Sequence, residues 1–226
     1  MGHWTYLIID LGAVLIPFIF SFHPKIKFNK QFKAFVLSST LIAIPFILWD
    51  VFFTSKGYWG FNSNYLVNLH VFLLPIEEWL FFILIPFACT FSYHTLSKHV
   101  DFEPHKKWTD IVFYGVALCA IYGAFHFSLP YTLWTSIALL IFLVALMNHP
   151  NKTAIIAVYL IMLIPFFIVN GLLTGTGLES PVVWYSPQAF LGYRMLSIPL
   201  EDAFYGFVLI GSNFMLYDYF RSRLSA

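Results

Sequence analysis

The sequence predicts an all-α polytopic membrane protein of about seven transmembrane helices, arranged as two parallel three-helix repeats plus a connecting helix. Three observations predict it. The 226 residues are 60% hydrophobic and only 10% charged, where a soluble domain carries about 25% charged residues. Seven apolar runs approach the roughly 20 residues that cross a bilayer. A short acidic motif embedded in apolar sequence occurs once in each half, as "PIEEW" (75–79) and "PLEDA" (199–203).

The apolar runs fall at about 4–20, 32–53, 66–92, 109–127, 131–147, 153–173 and 190–217. The fourth and fifth are parted only by "FSLP" (127–130). The N-terminal run lacks a basic n-region and a small-residue cleavage site, so it reads as a retained span. Basic residues test the count. Lys25, Lys27, Lys30, Lys33, Lys98, Lys106, Lys107, Lys152, Arg221 and Arg223 all fall on one side if every run crosses, leaving Lys56 and Arg194. The positive-inside rule then places the C-terminus in the cytoplasm and the N-terminus outside. Twelve Lys and Arg against eleven Asp and Glu leave no net charge to attract nucleic acid. Cys89 and Cys119 lie inside apolar runs and suggest no disulfide framework.

Internal repetition sets the organisation. "IPFILWDVFFT" (44–54) matches "IPFFIVNGLLT" (164–174) at an offset of 120, and the acidic motifs match at an offset of 124. The expected units are 1–106, a connecting helix over 107–128, and 129–226. One intervening helix makes the repeats parallel and puts both acidic motifs at one depth, near the middle of their helices.

An ionisable side chain at mid-membrane costs about 2.5–3.5 kcal/mol on insertion scales. Four such residues in two matched places argue for chemistry over helix packing, the blander alternative. Neighbouring helical residues point about 100° apart, so Glu77 and Glu78 cannot both face one spot. Register favours Glu77 with Glu201 across a shared cavity, with Glu78 and Asp202 orienting them. Pro75 and Pro199 are expected to kink the helices and free the carbonyls of Val71 and Met195. A carboxyl that keeps its proton can act as general acid, and an ionised one as base.

Aromatic residues crowd the same segments, and aromatic faces stabilise a cation. Most of them are packing or belt residues; Trp79 and Tyr205 are the chief candidates for the site. Among the other polar residues at membrane depth, which include Asp10 and His126, Asp50 and Asn170 hold equivalent repeat positions. His70 and Arg194 do so too, and Arg194 is placed to pair with an acid.

Two tandem three-helix units with "PIEE" and "PLED" motifs, the first preceded by the loop "WGFNSNY" that carries Asn62, resemble the membrane-type lycopene cyclase domain family in its fused two-repeat form. The resemblance implies cyclisation of the linear ends of lycopene to β-ionone rings, through γ-carotene to β-carotene. It carries over Glu77, Glu78, Glu201 and Asp202 as catalytic candidates. Trp79, Tyr205, Asp50, Asn170, His70, Arg194 and Asn62 are the expected substrate-binding residues.

In that chemistry an acid protonates C2, the C5=C6 bond attacks the cation at C1, and a base removes a proton from C6. No electrons are exchanged, so no cofactor and no metal is expected. Lycopene and γ-carotene are the expected partners, drawn from the lipid phase of the plasma membrane, and other membrane enzymes of carotenoid synthesis are compatible neighbours. A proton-coupled transporter is the rival class. A retinal protein is excluded, because no lysine lies in the seventh run. A β- or ε-ring product and a C40 or C50 substrate stay open at this point.

Overall fold

The computed structural model describes residues 2–224. It is 71% helical, with seven α-helices: α1 (Thr5–Phe20), α2 (Phe32–Ser55), α3 (Ile76–His99), α4 (Lys106–Ala124), α5 (Pro130–Met147), α6 (Lys152–Leu173) and α7 (Leu200–Leu224). The segment ending in α2, together with α3, α5 and α6, is long and apolar enough to cross a membrane, and α1 is a shorter apolar helix. Large apolar side chains such as Ile8, Ile16, Leu48, Leu118, Val144 and Ile164 stand exposed on the helix surfaces. An apolar exterior of that extent fits a lipid surround and not water. The chain is an all-α membrane protein.

The repeats interlock. α1 packs on α3 and, in the second half, α5 packs on α7. α2, by contrast, lies mainly against α7 of the other repeat, and α6 touches α3. The centre of the bundle is therefore where α3 and α7 meet, flanked by a helix from each half. One large core cluster fills it, including Phe82, Phe87, Leu139, Tyr159, Phe207 and Phe214.

At one end, the loops after α2 and α6 pair. β1 (Trp59–Phe61) runs antiparallel to β4 (Val183–Tyr185), in the register Trp59 with Tyr185 and Gly60 with Trp184. The Trp184 indole covers the Gly60 backbone so closely that a Cβ there would overlap it. At the other end, polar side chains bridge the helix termini. Tyr217 and the His94 ring lie 2.7 Å apart, and Asn151 donates to Asp218 at 2.7 Å.

The structure corrects one expectation about the acidic motifs. They do not sit near the middle of long helices; they occupy the first turns of α3 and α7. The first ten residues of each apolar run lie outside the helix, and that stretch ends in a hairpin: β2 (His70–Val71) with β3 (Leu74–Pro75), and β5 (Arg194–Met195) with β6 (Ile198–Pro199). The cause is partly proline, which lacks a backbone donor and disfavours helical geometry in the residue before it. Pro75 is extended (φ −64°, ψ 152°) and caps α3 instead of kinking it. The Val71 carbonyl is also not free, because Trp79 Nε1 donates to it at 3.1 Å.

Candidate active site

Placing the acids in first turns aims the positive ends of α3 and α7 at them, which favours negative charge there. The two acids of each motif then separate. Glu77 is fully buried, and its Oε1 accepts the Val67 amide at 2.7 Å. Glu201 repeats this, accepting the Leu191 amide at 2.9 Å and the Thr132 hydroxyl at 2.6 Å. These two carboxyls tie down the strained segments that enter the helices.

Glu78 and Asp202 point the other way, into one cavity of about 260 Å³. Tyr6 of α1 donates to Glu78 at 2.6 Å, and Tyr131 of α5 donates to Asp202 at 2.6 Å. Beyond that shared phenol the halves diverge. On the first side, the Asp50 carboxyl of α2 lines the cavity together with Glu78, its Oδ2 buried without a partner among the described residues, and it also accepts Trp59 Nε1. On the second, the Asn170 amide of α6 donates to Asp202 at 2.8 Å and Tyr185 adds another bond at 2.9 Å. One half thus brings two carboxyls to the same end of the cavity, and two carboxyls can bond to each other only when a proton lies between them. The other presents a single carboxyl that accepts from three donors.

The cavity is elongated. Its lining runs from Glu78 along α3 to Ser92, about 21 Å at 1.5 Å per residue. Pro17 of α1 and Met162 of α6 line it as well. Aromatic rings wall the acid end. Tyr205 stands edge-on to Phe46 and Trp49, at centroid distances of 5.0 and 5.1 Å. Trp59 meets Tyr131 edge-on at 5.1 Å, and Tyr131 stacks on Tyr185 at 5.8 Å. Such faces attract a cation held near them. The site is a narrow apolar slot with opposed carboxyls and aromatic walls at one end.

The family model for lycopene cyclase matches the chain over residues 3–96 and 128–220. The chain belongs to the lycopene cyclase family. The two matched segments run through α1 to α3 and α5 to α7, the two repeats of a fused cyclase, with α4 between them. The protein is thus an enzyme of carotenoid synthesis that cyclises lycopene. No curated protein and no solved structure matches it.

Against this cyclase site, the expected pairing of Glu77 with Glu201 across the cavity is corrected: Glu78 and Asp202 line it. Asp50, Asn170 and Tyr205 line it too. Four residues expected to bind substrate lie elsewhere. Trp79 is fastened to the β2–β3 hairpin, and His70 is exposed on that hairpin. Asn62 bridges to Ser180 at 3.0 Å and joins the outer loops of the two halves. Among the described residues Arg194 pairs with no acid; it donates to the Ser197 carbonyl and lies 4.9 Å over the Phe190 ring. Among the described residues, no three His, Cys, Asp or Glu side chains gather in a metal-binding group.

Tyr6 and Tyr131 escaped the sequence reading. The signal for them was present, since "TYL" (5–7) and "YTL" (131–133) open equivalent apolar runs. Trp59 and Tyr185 were visible only as two among many aromatics.

Proposed function

We propose that the protein is a lycopene β-cyclase in which the Asp50–Glu78 pair delivers a proton to C2 of the ψ-end and Asp202 removes one from C6. The observation that carries this reading is the unequal dress of the two carboxyl groups that share the cavity. A carboxyl facing another carboxyl is a source of a shared proton. A carboxyl that accepts from Tyr131, Asn170 and Tyr185 has three donors on its oxygens and returns none, which suits an ionised acceptor.

Protonation at C2 leaves a tertiary cation at C1. The C5=C6 bond attacks it, moving the positive charge to C5 beside the rings of Trp59, Tyr131 and Tyr205. Loss of the C6 proton restores the double bond. C2 and C6 both flank C1, whereas C4 lies across the new ring. Acid and base that open onto one end of one slot suit the first arrangement, which supports a β-ring over an ε-ring. Every step is a proton transfer or an internal bond shift, so the chemistry consumes no redox equivalent.

Lycopene and then γ-carotene reach the slot from the lipid phase, with the polyene extended along α3. With the basic loops in the cytoplasm, the first turns of α3 and α7 lie toward the outer face of the plasma membrane.

The test is expression in a bacterial host that accumulates lycopene, followed by chromatography of the pigments. Conversion to γ- and β-carotene is the expected result. δ- or ε-carotene would replace the β assignment, and untouched lycopene beside well-inserted protein would refute the reading.

A further inference from the structure

Forming a β-ring is proton-neutral, yet each turnover leaves the acid one proton short and the base one proton over. The proton has to travel from Asp202 back to the Asp50–Glu78 pair before the next ring can form. Both groups open into the same cavity, and the aromatic end that separates them holds one side chain suited to carry it.

Tyr205 follows Asp202 by three residues on α7, so the two lie on one face of that helix. Its ring is packed between the partners of both acids. It lies 6.3 Å from Tyr131, which is bonded to Asp202, and 6.4 Å from Trp59, which is bonded to Asp50. It lines the cavity together with Asp50, Glu78 and Asp202. Five tyrosines line the cavity. Four have committed their hydroxyls: Tyr6 to Glu78, Tyr131 and Tyr185 to Asp202, and Tyr159 to the Ala203 carbonyl. Tyr205 makes no hydrogen bond among the described residues. Trp59 cannot take its place, because an indole N–H donates and does not accept.

We propose that Tyr205 is a proton relay that returns the abstracted proton from Asp202 to the Asp50–Glu78 pair, so that one proton serves successive rings without visiting water. This rests on the acid and base roles assigned above. The transfer balances: the protonated Asp202 carboxyl gives its proton to the Tyr205 oxygen while the Tyr205 O–H gives its own to the first-half carboxylate. The phenol ends as it began.

The experiment is cyclisation of lycopene by membranes carrying the protein in D₂O, with deuterium in the product counted by mass spectrometry. With protein in excess, the first γ-carotene should carry one solvent deuteron, which shows that the label reaches the acid. With lycopene in large excess, the count per ring should fall well below one, because protons stripped from C6 pass through Tyr205 to the acid and reach C2 of later rings.

One deuteron per ring at every ratio would overturn recycling while leaving the cyclase intact; no ring at all would instead sink the proposed function. Tyr205→Phe should raise the count to one per ring and slow turnover about tenfold or more, within the range of a lost proton-transfer group. A phenylalanine variant that keeps the low count at full rate would remove Tyr205 from the path. Tyr205→His, which can also accept and donate, should restore the low count and covers the case in which the phenylalanine variant does not accumulate.

Discussion

Tyr131 donates its hydroxyl to Asp202 across 2.6 Å, spanning from α5 to the first turn of α7. Tyr6 holds Glu78 at the same distance in the other repeat. This phenol–carboxyl bond is the element of the site that the two halves have in common. What surrounds it differs, and on the proposed mechanism those differences decide which half gives a proton and which takes one.

Glu78→Gln and Asp202→Asn should each reduce ring formation by about 10²–10⁴-fold, the usual span for a general acid or base. Glu77→Gln and Glu201→Gln should act differently, because those side chains hold backbone amides and not substrate. The glutamine oxygen still accepts the amide, so the cost is limited to about 0.5–1.5 kcal/mol, the net worth of one hydrogen bond. A lower melting temperature with ring formation kept within about tenfold is expected. Pigment analysis beside thermal unfolding in detergent separates the two classes, and equal activity losses at all four positions would contradict the geometry.

Asp50→Asn makes the first half resemble the second. The protein should insert and fold, since the amide oxygen still accepts from Trp59, but Glu78 loses the carboxyl that shares its proton. Cyclisation should fall at least about tenfold, measured as carotene formed per unit of inserted protein. An unchanged rate would mean that Glu78 supplies the proton without Asp50.

Gly60→Ala places a methyl group against the Trp184 indole. Overpacking of this kind costs about 1–3 kcal/mol, and here it would loosen the β1–β4 pairing that joins the outer loops. A lower melting temperature is expected, with Gly57→Ala as the contrast: Gly57 has open space around its Cα and strain only from its φ of 68°.

The two repeats build one cavity with one acid set, so a lycopene molecule presents its ends one after the other. A time course should show γ-carotene rising first and β-carotene following. β-Carotene appearing from the first time point without γ-carotene would require that the half-cyclised polyene never leaves, and would refute free exchange of the two ends.

Hydropathy made the seven helices legible, and matching the halves found both acidic motifs and the equivalence of Asp50 with Asn170. The starts of α3 and α7 were not legible. The apolar runs continue through the two hairpins, where Phe72, Leu73 and Leu196 take positive φ (48°, 70° and 59°), and a hydropathy profile carries no backbone angles. That error propagated. With the acids placed at mid-helix, register chose Glu77 and Glu201 as the facing pair, and the hydrogen bonds from Val67 and Leu191 that turn Glu77 and Glu201 aside depend on the non-helical segments. The phenols failed to register for another reason: a tyrosine in an apolar run adds to the membrane signal whether it faces lipid or a carboxyl.

Asp50 and Asn170 differ by one oxygen exchanged for one nitrogen, at corresponding points of an otherwise doubled framework. A chain with two identical halves would build a symmetric pocket and would give a carotenoid end no reason to sit one way round in preference to the other. With an acid on one side and an amide on the other, the pocket has a front and a back. On the proposed mechanism, that unlike pair, with Trp59 beside Asp50 and Tyr185 beside Asp202, gives the substrate an orientation on a scaffold that places both carboxyls in first turns.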